Sequence, residues 1–280
     1  MDRPLCMITG ANSGIGKAMA GALARRGMGI VMVCRNREKA EAAKRDIEAA
    51  ADGVHVELLI ADLASMEEVR RVAEAFRARH GELDVLVNNA GLYLPKRLTS
   101  PDGFEMMFAV NHLAAFLLTR LLEEPLRAGG ARVITVSSGG HHLGHLDFDD
   151  LQCERGFRAF RQYGTTKLAN VLFTRELARR WSDRGVIAHC FHPGAVYTGF
   201  AQDEPGLLGA LVKLGRPFLR TAEKGARTGV YLASDPAAAE TSGGYFIDGR
   251  PAKPSREARD DAVAAKLWDT SERLTGLPPS

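Results

Sequence analysis

Long apolar runs are missing from this sequence. Only a short apolar segment precedes Gly10, and no later run approaches the ~20 residues that a membrane-spanning helix requires. The opening residues also lack the longer apolar core of a secretory signal peptide. We therefore expect a protein that has no membrane span and is located in the cytoplasm.

Clustered cysteines and a surplus of one charge are missing as well. The four cysteines, Cys6, Cys34, Cys153 and Cys190, form neither a CxxC pair nor a set with metal-ligand spacing, and they favour a reducing compartment. Lys and Arg number 37 against 34 Asp and Glu, which gives a net charge of +3. Because no dense basic tract stands out, we expect no nucleic-acid-binding surface.

What the chain does have is a regular alternation of apolar segments. Its 280 residues are 45% hydrophobic, which is enough for a sizeable core. Short β-type runs alternate with amphipathic helical runs, and this pattern predicts βαβ units with a parallel sheet covered on both faces. The predicted strands are Leu5–Thr9, Gly29–Cys34, Val54–Ala61, Val85–Val87, Arg132–Ser137, Val186–Phe191 and Gly244–Ile247. The predicted helices are Ile15–Arg26, Arg37–Ala50, Ser65–His80, Gly103–Leu122, Gln162–Arg184 and Ala222–Ala233.

No linker or repeat divides the sequence, so one α/β domain over residues 1–280 is a better interpretation than two small ones. Two long connections, 138–162 and 197–221, interrupt the alternation, and both follow predicted strands. Ligands of open parallel sheets bind beyond the carboxyl ends of the strands. The second connection is rich in apolar residues and is either a substrate lid or part of the core. Residues 255–277 are expected to form a C-terminal helical extension.

A glycine-rich segment, TGANSGIG, joins the first predicted strand to the first predicted helix. Its spacing is GxxxGxG rather than GxGxxG. Glycines at this place allow a tight turn and let backbone N–H groups approach a pyrophosphate at the helix N-terminus. An ordinary strand-to-helix connection is the alternative, but the position favours dinucleotide binding. The candidate cofactor-binding residues of this segment are Gly10, Asn12, Ser13, Gly14, Ile15 and Gly16.

The end of the second predicted strand lacks an acidic residue before Glu38. An Asp or Glu near this point would bind the ribose 2′-hydroxyl of NAD, whereas an arginine suits the 2′-phosphate of NADP. Arg35 and Asn36 follow the strand directly. A solvated charge is the alternative for Arg35, but its position predicts NADP(H) as the cofactor.

Tyr163 and Lys167 are the candidate reacting groups. Residues four apart share one face of a helix, and a nearby ammonium lowers the pKa of a tyrosine from its usual ~10 by favouring the phenolate. Such a tyrosine can exchange a proton with the oxygen of a carbonyl or an alcohol. The pair also occurs by chance on many helices, where the tyrosine packs and the lysine is a surface charge.

Several further motifs accompany these two features in a fixed order. With them, the chain resembles the short-chain dehydrogenase/reductase family over nearly its whole length, and most of all the retinol dehydrogenase-like branch. The resemblance implies a Rossmann-type, doubly wound fold with a seven-stranded parallel sheet. The stretches similar to that branch are VSSGGHHLG at 136–144, YGTTKLANVLFTRELARR at 163–180 and AAKLWDTSERLTGL at 264–277. The further motifs are Asp62-Leu63, Asn88-Asn89-Ala90-Gly91, Asn111, Ser137-Ser138 and Pro193-Gly194.

The resemblance also implies a role for each matching residue. Tyr163 would be the general acid/base, and Lys167 would lower its pKa and hold the nicotinamide ribose. Ser138 would bind the substrate oxygen, and Asn111 would support Lys167 through a water molecule. Asp62 and Leu63 would border the adenine, Asn89 would lie near the adenosine ribose, and Val196 and Thr198 would contact the nicotinamide. The remaining implied cofactor contacts are Ala90, Gly91, Pro193 and Gly194.

Three histidines, His141, His142 and His145, follow the candidate serine closely. Adjacent histidines rarely ligate one ion, and no thiolate or acidic partner completes a set, so we expect a polar loop and no metal. His192, at a predicted strand end, is expected to be structural because Tyr163 fills the acid/base role.

Together these observations predict an enzyme that interconverts a small hydrophobic ketone or aldehyde and its alcohol. Membrane-bound members of the retinol dehydrogenase-like branch carry an N-terminal anchor that this chain lacks, so a retinoid is not the expected substrate. Two alternatives stay open: a ketoreductase that tailors a secondary metabolite, and a catalytically silent NADP-binding sensor. A homodimer is compatible with the sequence.

Overall fold

The computed structural model describes residues 3–128, 130–195 and 220–280. Within these residues the strands form a single sheet. The strands are β1 (Leu5–Thr9), β2 (Gly29–Cys34), β3 (Val56–Ile60), β4 (Val85–Asn88), β5 (Arg132–Val136), β6 (Ile187–His192), β7 (Gly244–Ile247) and β8 (Arg250–Pro251). They stand in the order β3-β2-β1-β4-β5-β6-β7-β8, and β1 to β7 are parallel. The predicted doubly wound α/β fold is confirmed.

The sheet has eight strands in the described residues, one more than the seven expected. The seven predicted strands are all present, but β8 adds an antiparallel pair to β7. Asp248 and Gly249 connect the two strands, and both have positive φ angles, 51° and 73°. Two consecutive residues of this kind form the tight turn that Asp-Gly pairs favour between antiparallel strands. The dipeptide was therefore the sequence signal for the eighth strand.

Helices cover both faces of the sheet. In the described part of the chain they are α1 (Gly14–Ala24), α2 (Arg37–Ala49), α3 (Met66–Arg77), α4 (Met106–Phe108), α5 (Ala114–Leu121), α6 (Glu123–Ala128), α7 (Ala159–Arg180), α8 (Ala222–Ser234) and α9 (Asp261–Thr275). A π-helical turn, Ala109–Leu113, joins α4 to α5. Among the helices of the described ranges, none has the length and apolarity needed to cross a membrane.

The core consists of two apolar layers, one on each face of the sheet. Successive side chains of β2 show the pattern, because Val31 and Val33 enter one layer while Ile30 and Met32 enter the other. Helices α3, α5, α7 and α9 cover the first layer, and α1, α2 and α8 cover the second. Burial on both faces explains why the strands are almost continuously apolar.

The predicted C-terminal extension contains α9, which packs behind α7. Trp268 of α9 is 2% exposed, and its ring lies 5.1 Å from that of Phe116 and 6.0 Å from that of Phe173. The indole N–H donates to Glu272 at 2.9 Å. Helix α9 thus closes the layer against which α7, the helix that carries Tyr163, is packed.

A crevice opens where the strand order reverses. The chain runs from β1 outward through β2 to β3 and then returns to β4 on the other side of β1. The loops that follow β1 and β4 therefore diverge at the carboxyl edge of the sheet, the place where ligands of this fold bind. The predicted lid, 197–221, lies outside the described residues except for Arg220 and Thr221.

Candidate active site

The glycine-rich segment turns the chain from β1 into α1. Gly10 and Gly14 have φ angles of 66° and 53°, which strain other residues. A Cβ on Gly16 would lie 2.5 Å from the side-chain nitrogen of Asn89, so a glycine is needed for this approach. The exposed N-cap residue, Ser13, makes no side-chain capping bond to the first turn of α1. An anion such as a pyrophosphate is a favoured partner for the N–H groups of that turn.

Asn89 ties the glycine-rich segment to β4. Its side-chain amide donates to the carbonyl oxygens of Thr9 at 2.8 Å and Gly10 at 3.3 Å. The backbone N–H groups of Asn89 and Ala90 donate to the Thr9 hydroxyl at 3.0 Å and 2.9 Å. These bonds brace the two loops that border the crevice, a use of Asn89 that the sequence did not indicate.

Arg35 and Asp62 come together beyond the carboxyl ends of β2 and β3. The side chain of Arg35 is 73% exposed, and its guanidinium lies 3.8 Å from Asp62 Oδ2, a separation that makes a weak, solvated ion pair. The other oxygen of Asp62 accepts from the Ala64 N–H at 3.0 Å. Asn36 instead caps α2, because its side-chain oxygen accepts from the Lys39 N–H at 2.9 Å. Arg35 therefore remains accessible to an anionic ligand.

The predicted reacting groups meet at the same edge of the sheet. Ser138 follows β5, and its side chain is hydrogen-bonded to that of Tyr163. The Nζ of Lys167, one turn further along α7, lies 5.7 Å from the centre of the Tyr163 ring. The same Nζ donates to the Val136 carbonyl at 3.2 Å, so the lysine head is held at the end of β5.

Burial sets the proton affinities of the tyrosine and the lysine. It raises the pKa of Tyr163 to about 12, and the hydrogen bond with Ser138 acts in the opposite direction. It also lowers the pKa of Lys167 to about 8. Both shifts disfavour the charged form of a group removed from water. The expectation from the sequence, a Tyr163 pKa lowered by the ammonium, is wrong because desolvation of the hydroxyl is the largest effect.

Close backbone packing places the serine against α7. The Oγ of Ser138 accepts from the Gly140 N–H at 3.1 Å, at the start of a 3₁₀ turn. A Cβ on Gly164 would lie 2.6 Å from the Gly140 carbonyl oxygen, and a Cβ on Gly144 would overlap the Gly164 backbone. Only glycines allow this approach, so they set the separation between the Ser138 turn and Tyr163.

Asn111 lies in the π-helical turn, a feature frequent at functional sites. Its side-chain Nδ2 donates to the Leu92 carbonyl and the Thr166 hydroxyl, both at 3.0 Å, and its Oδ1 accepts from the Leu92 N–H at 2.7 Å. A Cβ on Gly91 would lie 3.2 Å from Lys167 Nζ and 3.3 Å from Asn111 Oδ1. The structure thus brings the side chains of Asn111 and Lys167 together beside Gly91.

A buried carboxylate that the sequence did not reveal supports this arrangement. Glu105 is 0% exposed, and it accepts from the backbone N–H groups of Met107 at 3.0 Å and Phe108 at 2.8 Å. The side-chain amide of Gln162 donates to the same carboxylate at 2.8 Å, and Gln162 directly precedes Tyr163. An isolated glutamate gives no sequence signal for such a role, because its partners are backbone groups and one distant side chain.

Arg220 spans the end of β6. Its backbone N–H donates to the Ala195 carbonyl at 2.8 Å, and its guanidinium forms an ion pair with Asp248 that includes a bond of 2.9 Å. The predicted nicotinamide-side residues Pro193 and Gly194 therefore lie under an anchored arginine. The two other predicted contacts on this side lie outside the described residues: Val196 and Thr198.

His192 and His145 each have a hydrogen-bonding partner. His192 Nδ1 accepts from the backbone N–H of Gly194 at 3.4 Å, and burial lowers the pKa of His192. His145 Nδ1 lies 3.0 Å from a carboxylate oxygen of Glu257. Over residues 3–128, 130–195 and 220–280, no group of three or more His, Cys, Asp or Glu side chains could hold a metal ion.

The fold and this set of residues define a class of oxidoreductase. The sequence pattern of the short chain dehydrogenases matches residues 5–205. The chain belongs to this family, and the resemblance to its retinol dehydrogenase-like branch is confirmed by the relatives described next.

Two curated relatives and two solved structures illustrate the similarity. Retinol dehydrogenase 13 of Homo sapiens is 42% identical over 97% of this chain and 84% of that protein. A candidate daunorubicin C-13 ketoreductase of Streptomyces sp. (strain C5) is 41% identical over 96% of this chain and 92% of that protein. The structure of an uncharacterised protein from Mycobacterium paratuberculosis matches with a TM-score of 0.80 and 35% identity, and the match covers 100% of this chain and 98% of that one. The structure of L-sorbose reductase from Gluconobacter frateurii, complexed with NADPH and L-sorbose, matches with a TM-score of 0.71 and 25% identity. That match covers 91% of this chain and 98% of the other.

Proposed function

We propose that this protein is an NADP(H)-dependent oxidoreductase that interconverts a hydrophobic ketone or aldehyde and its alcohol, with Tyr163 as the general acid/base. The observation that carries the proposal is the hydrogen bond between Tyr163 and Ser138 beside the buried head of Lys167. Two hydroxyl groups so arranged at the ligand-binding edge can both donate to one substrate oxygen.

The residues present fit a dinucleotide. The first turn of α1, which Ser13 leaves uncapped, suits a pyrophosphate, and the exposed guanidinium of Arg35 suits a further phosphate. At the other end, the Lys167 ammonium lies beside Gly91 together with Asn111, and an ammonium can donate to ribose hydroxyls. A bound nicotinamide would supply or accept the hydride at the carbonyl carbon.

The chain's own residues handle the oxygen and its proton. In reduction, the Ser138 hydroxyl donates to the substrate oxygen and holds the carbonyl in place, and Tyr163 transfers its proton to that oxygen as negative charge develops. In oxidation, the tyrosine takes the proton back. The Lys167 ammonium stabilises the phenolate that reduction leaves on Tyr163.

The preference for NADP(H) rests on Arg35. No carboxylate precedes it at the end of β2, and among the described residues the ion-pair partner of its guanidinium is Asp62, at a weak 3.8 Å. An arginine–phosphate contact is charge-assisted and often bidentate.

Exposed apolar side chains beside Tyr163 support a hydrophobic substrate. The ring of Tyr93 lies 6.0 Å from that of Tyr163 and 5.1 Å from that of Phe160. Phe160 is 58% exposed, and Leu143 of the neighbouring turn is 66% exposed. Large apolar side chains grouped at the edge of a site favour an apolar ligand.

A tailoring ketoreductase is the second candidate, and the 41% identical relative named for daunorubicin C-13 ketoreduction favours it. The chemistry at Ser138 and Tyr163 would be the same, so only the substrate separates the two candidates. A panel of aliphatic aldehydes, aromatic ketones and daunorubicin, followed through NADPH absorbance, would rank them.

Replacement of Tyr163 by phenylalanine tests the proposed chemistry. The ring still packs, but the transferable proton is gone, so turnover should fall at least ~100-fold while NADPH binding, measured by fluorescence titration, is retained. The matched control is Tyr231→Phe, in which the same hydroxyl is removed from α8, on the opposite face of the sheet. Turnover by Tyr163→Phe close to that of the control would remove the acid/base role from Tyr163.

A further inference from the structure

His141 is a buried side chain in the turn that follows the proposed substrate-binding serine. It is 0% exposed. Its Nδ1 lies 2.7 Å from the carbonyl oxygen of Ser138, and its Nε2 lies 3.1 Å from the backbone nitrogen of Ser255. The ring therefore links two segments that are far apart in the sequence, since His141 and Ser255 are separated by 114 positions.

The two contacts fix the tautomer of the ring. The Ser255 N–H can only donate, so the Nε2 that faces it is an unprotonated acceptor. The proton is then on Nδ1, which donates to the Ser138 carbonyl. Burial lowers the pKa of His141 to about 4, against the effect of the Ser138 bond, and the neighbouring His142 and His192 act in the same direction as burial. The ring is therefore neutral at neutral pH.

These contacts hold the backbone carbonyl of Ser138, and a separate bond holds its hydroxyl. The carbonyl accepts from both the ring and the backbone N–H of His141, the latter at 3.1 Å. The hydroxyl oxygen accepts from the Gly140 N–H at 3.1 Å. Because that bond uses a lone pair of the oxygen, the hydroxyl proton is left for donation toward Tyr163 or a substrate oxygen.

The segment between β8 and α9 makes a second set of contacts just after this turn. Glu257 accepts from the backbone N–H of Leu146 at 2.9 Å, and its other oxygen lies 3.0 Å from His145 Nδ1. Ser255 and Glu257 are two residues apart, so one short C-terminal segment contacts the turn both at His141 and after it. The position of Ser138 is thereby coupled to a part of the chain that is remote in sequence.

We propose that His141 is a positioning residue: its Nδ1–H donates to the Ser138 carbonyl and so holds the substrate-binding hydroxyl in its working orientation, while the Ser255 N–H, which donates to Nε2, fixes the tautomer that this bond requires. The proposal rests on the proposed carbonyl chemistry of Ser138 and Tyr163. His141 itself touches no reacting atom. Its loss should lower kcat by misplacing Ser138, because a small displacement of a catalytic group can cost up to ~100-fold in rate.

Three substitutions separate the two hydrogen bonds. In His141→Asn, the amide nitrogen is as many bonds from Cβ as Nδ1, so the bond to Ser138 is kept and the bond to Ser255 is lost. In His141→Gln, the amide oxygen is as far from Cβ as Nε2, so the bond to Ser255 is kept instead. His141→Leu removes both bonds from a buried site. The control is His142→Asn, at the exposed neighbour whose ring lies 4.0 Å from that of His141.

The expected result is a split between the two amide variants. His141→Asn and the His142→Asn control should keep kcat within ~3-fold of the wild type, while His141→Gln and His141→Leu should lose at least ~10-fold in kcat with unchanged NADPH affinity. Equal losses in all three His141 variants would indicate a packing role and overturn the proposal. An unchanged kcat in His141→Leu would overturn it as well. So would a kcat that is retained in His141→Gln and lost in His141→Asn.

A readout without turnover tests the tautomer. Proton–nitrogen correlation spectra of the histidine rings at pH 7, with the His141 signals assigned by their loss in His141→Asn, should show a neutral ring protonated at Nδ1. A charged ring, or one protonated at Nε2, would contradict the proposal. These outcomes are independent of the proposed function, which fails instead if the wild type turns over no carbonyl substrate or if Tyr163→Phe remains active.

Discussion

Replacing Glu105 by glutamine is the sharpest test of how the segment before Asn111 is joined to the start of α7. The carboxylate accepts three hydrogen bonds at 0% exposure, two from the backbone N–H groups of Met107 and Phe108 and one from the Gln162 amide. A glutamine at this place has one oxygen and one NH₂ group. The NH₂ group must then face at least one of these donors without an acceptor between them.

The cost follows from that mismatch. A hydrogen bond to a charged group contributes ~1.5–3 kcal/mol, and a buried donor left without a partner costs ~1–3 kcal/mol. These terms overlap, so we expect the free energy of unfolding to fall by about 2–3 kcal/mol, which corresponds to a decrease in Tm of about 4–12 °C at ~2–4 °C per kcal/mol. Turnover should fall too, because α4 leads into the turn with Asn111 and Gln162 precedes Tyr163.

Urea unfolding followed by circular dichroism measures the difference. The matched control is Glu124→Gln, where the same change is made on a side chain that is 85% exposed and lies 3.6 Å from Arg77. A surface pair of this kind contributes ~0–1 kcal/mol. If Glu105→Gln unfolds within about 0.5 kcal/mol of the wild type, the network around Glu105 does not stabilise the fold and the reasoning is refuted.

Three further predictions concern the site. Arg35→Ala should weaken NADPH binding ~10- to 150-fold and leave NADH binding unchanged, with Arg45→Ala as the control; equal NADPH and NADH affinities in the wild type would contradict the role of Arg35. For aliphatic aldehydes, kcat/KM should rise up to about fourfold for each added methylene that is buried, and Phe160→Ala should flatten the rise; a series that is flat in the wild type would exclude an apolar pocket. The reductive kcat should be steady below about pH 8 and fall above it, because Lys167, whose pKa burial lowers to about 8, loses its charge there; a profile flat to pH 10 would separate that charge from the reaction.

The order and type of the elements were predictable because burial on both faces leaves a strong pattern. Most of the parallel strands are largely apolar, and Gly29–Cys34 is an example. The ends of helices were harder to predict. The run predicted as one helix over Gly103–Leu122 begins at Met106 and contains the π-helical turn at Asn111, which no periodicity of 3.6 residues reveals.

The candidate site was accessible to prediction where it depends on side-chain type and order. Tyr163, Lys167 and Ser138 lie together in the structure, and the roles that the resemblance implies for them stay predictions. What the sequence could not show is the support beneath them, since the contacts of Glu105 and His141 join segments through backbone groups that carry no residue identity. The spacing of residues in a sequence does not show which N–H or carbonyl group lies within ~3 Å of a buried side chain.

Burial acts on Tyr163 and Lys167 in opposite directions and leaves both groups protonated at neutral pH. With pKa values of about 12 and about 8, the hydroxyl keeps its proton and the ammonium keeps its charge. In the proposed mechanism, that is the state needed to donate a proton during reduction, whereas oxidation would require the tyrosine to ionise first. The environment that makes the Lys167 charge costly also leaves it poorly screened, so it would act strongly on negative charge that develops on Tyr163. In that mechanism, desolvation would oppose the phenolate before the reaction and strengthen its stabilisation once the proton has moved.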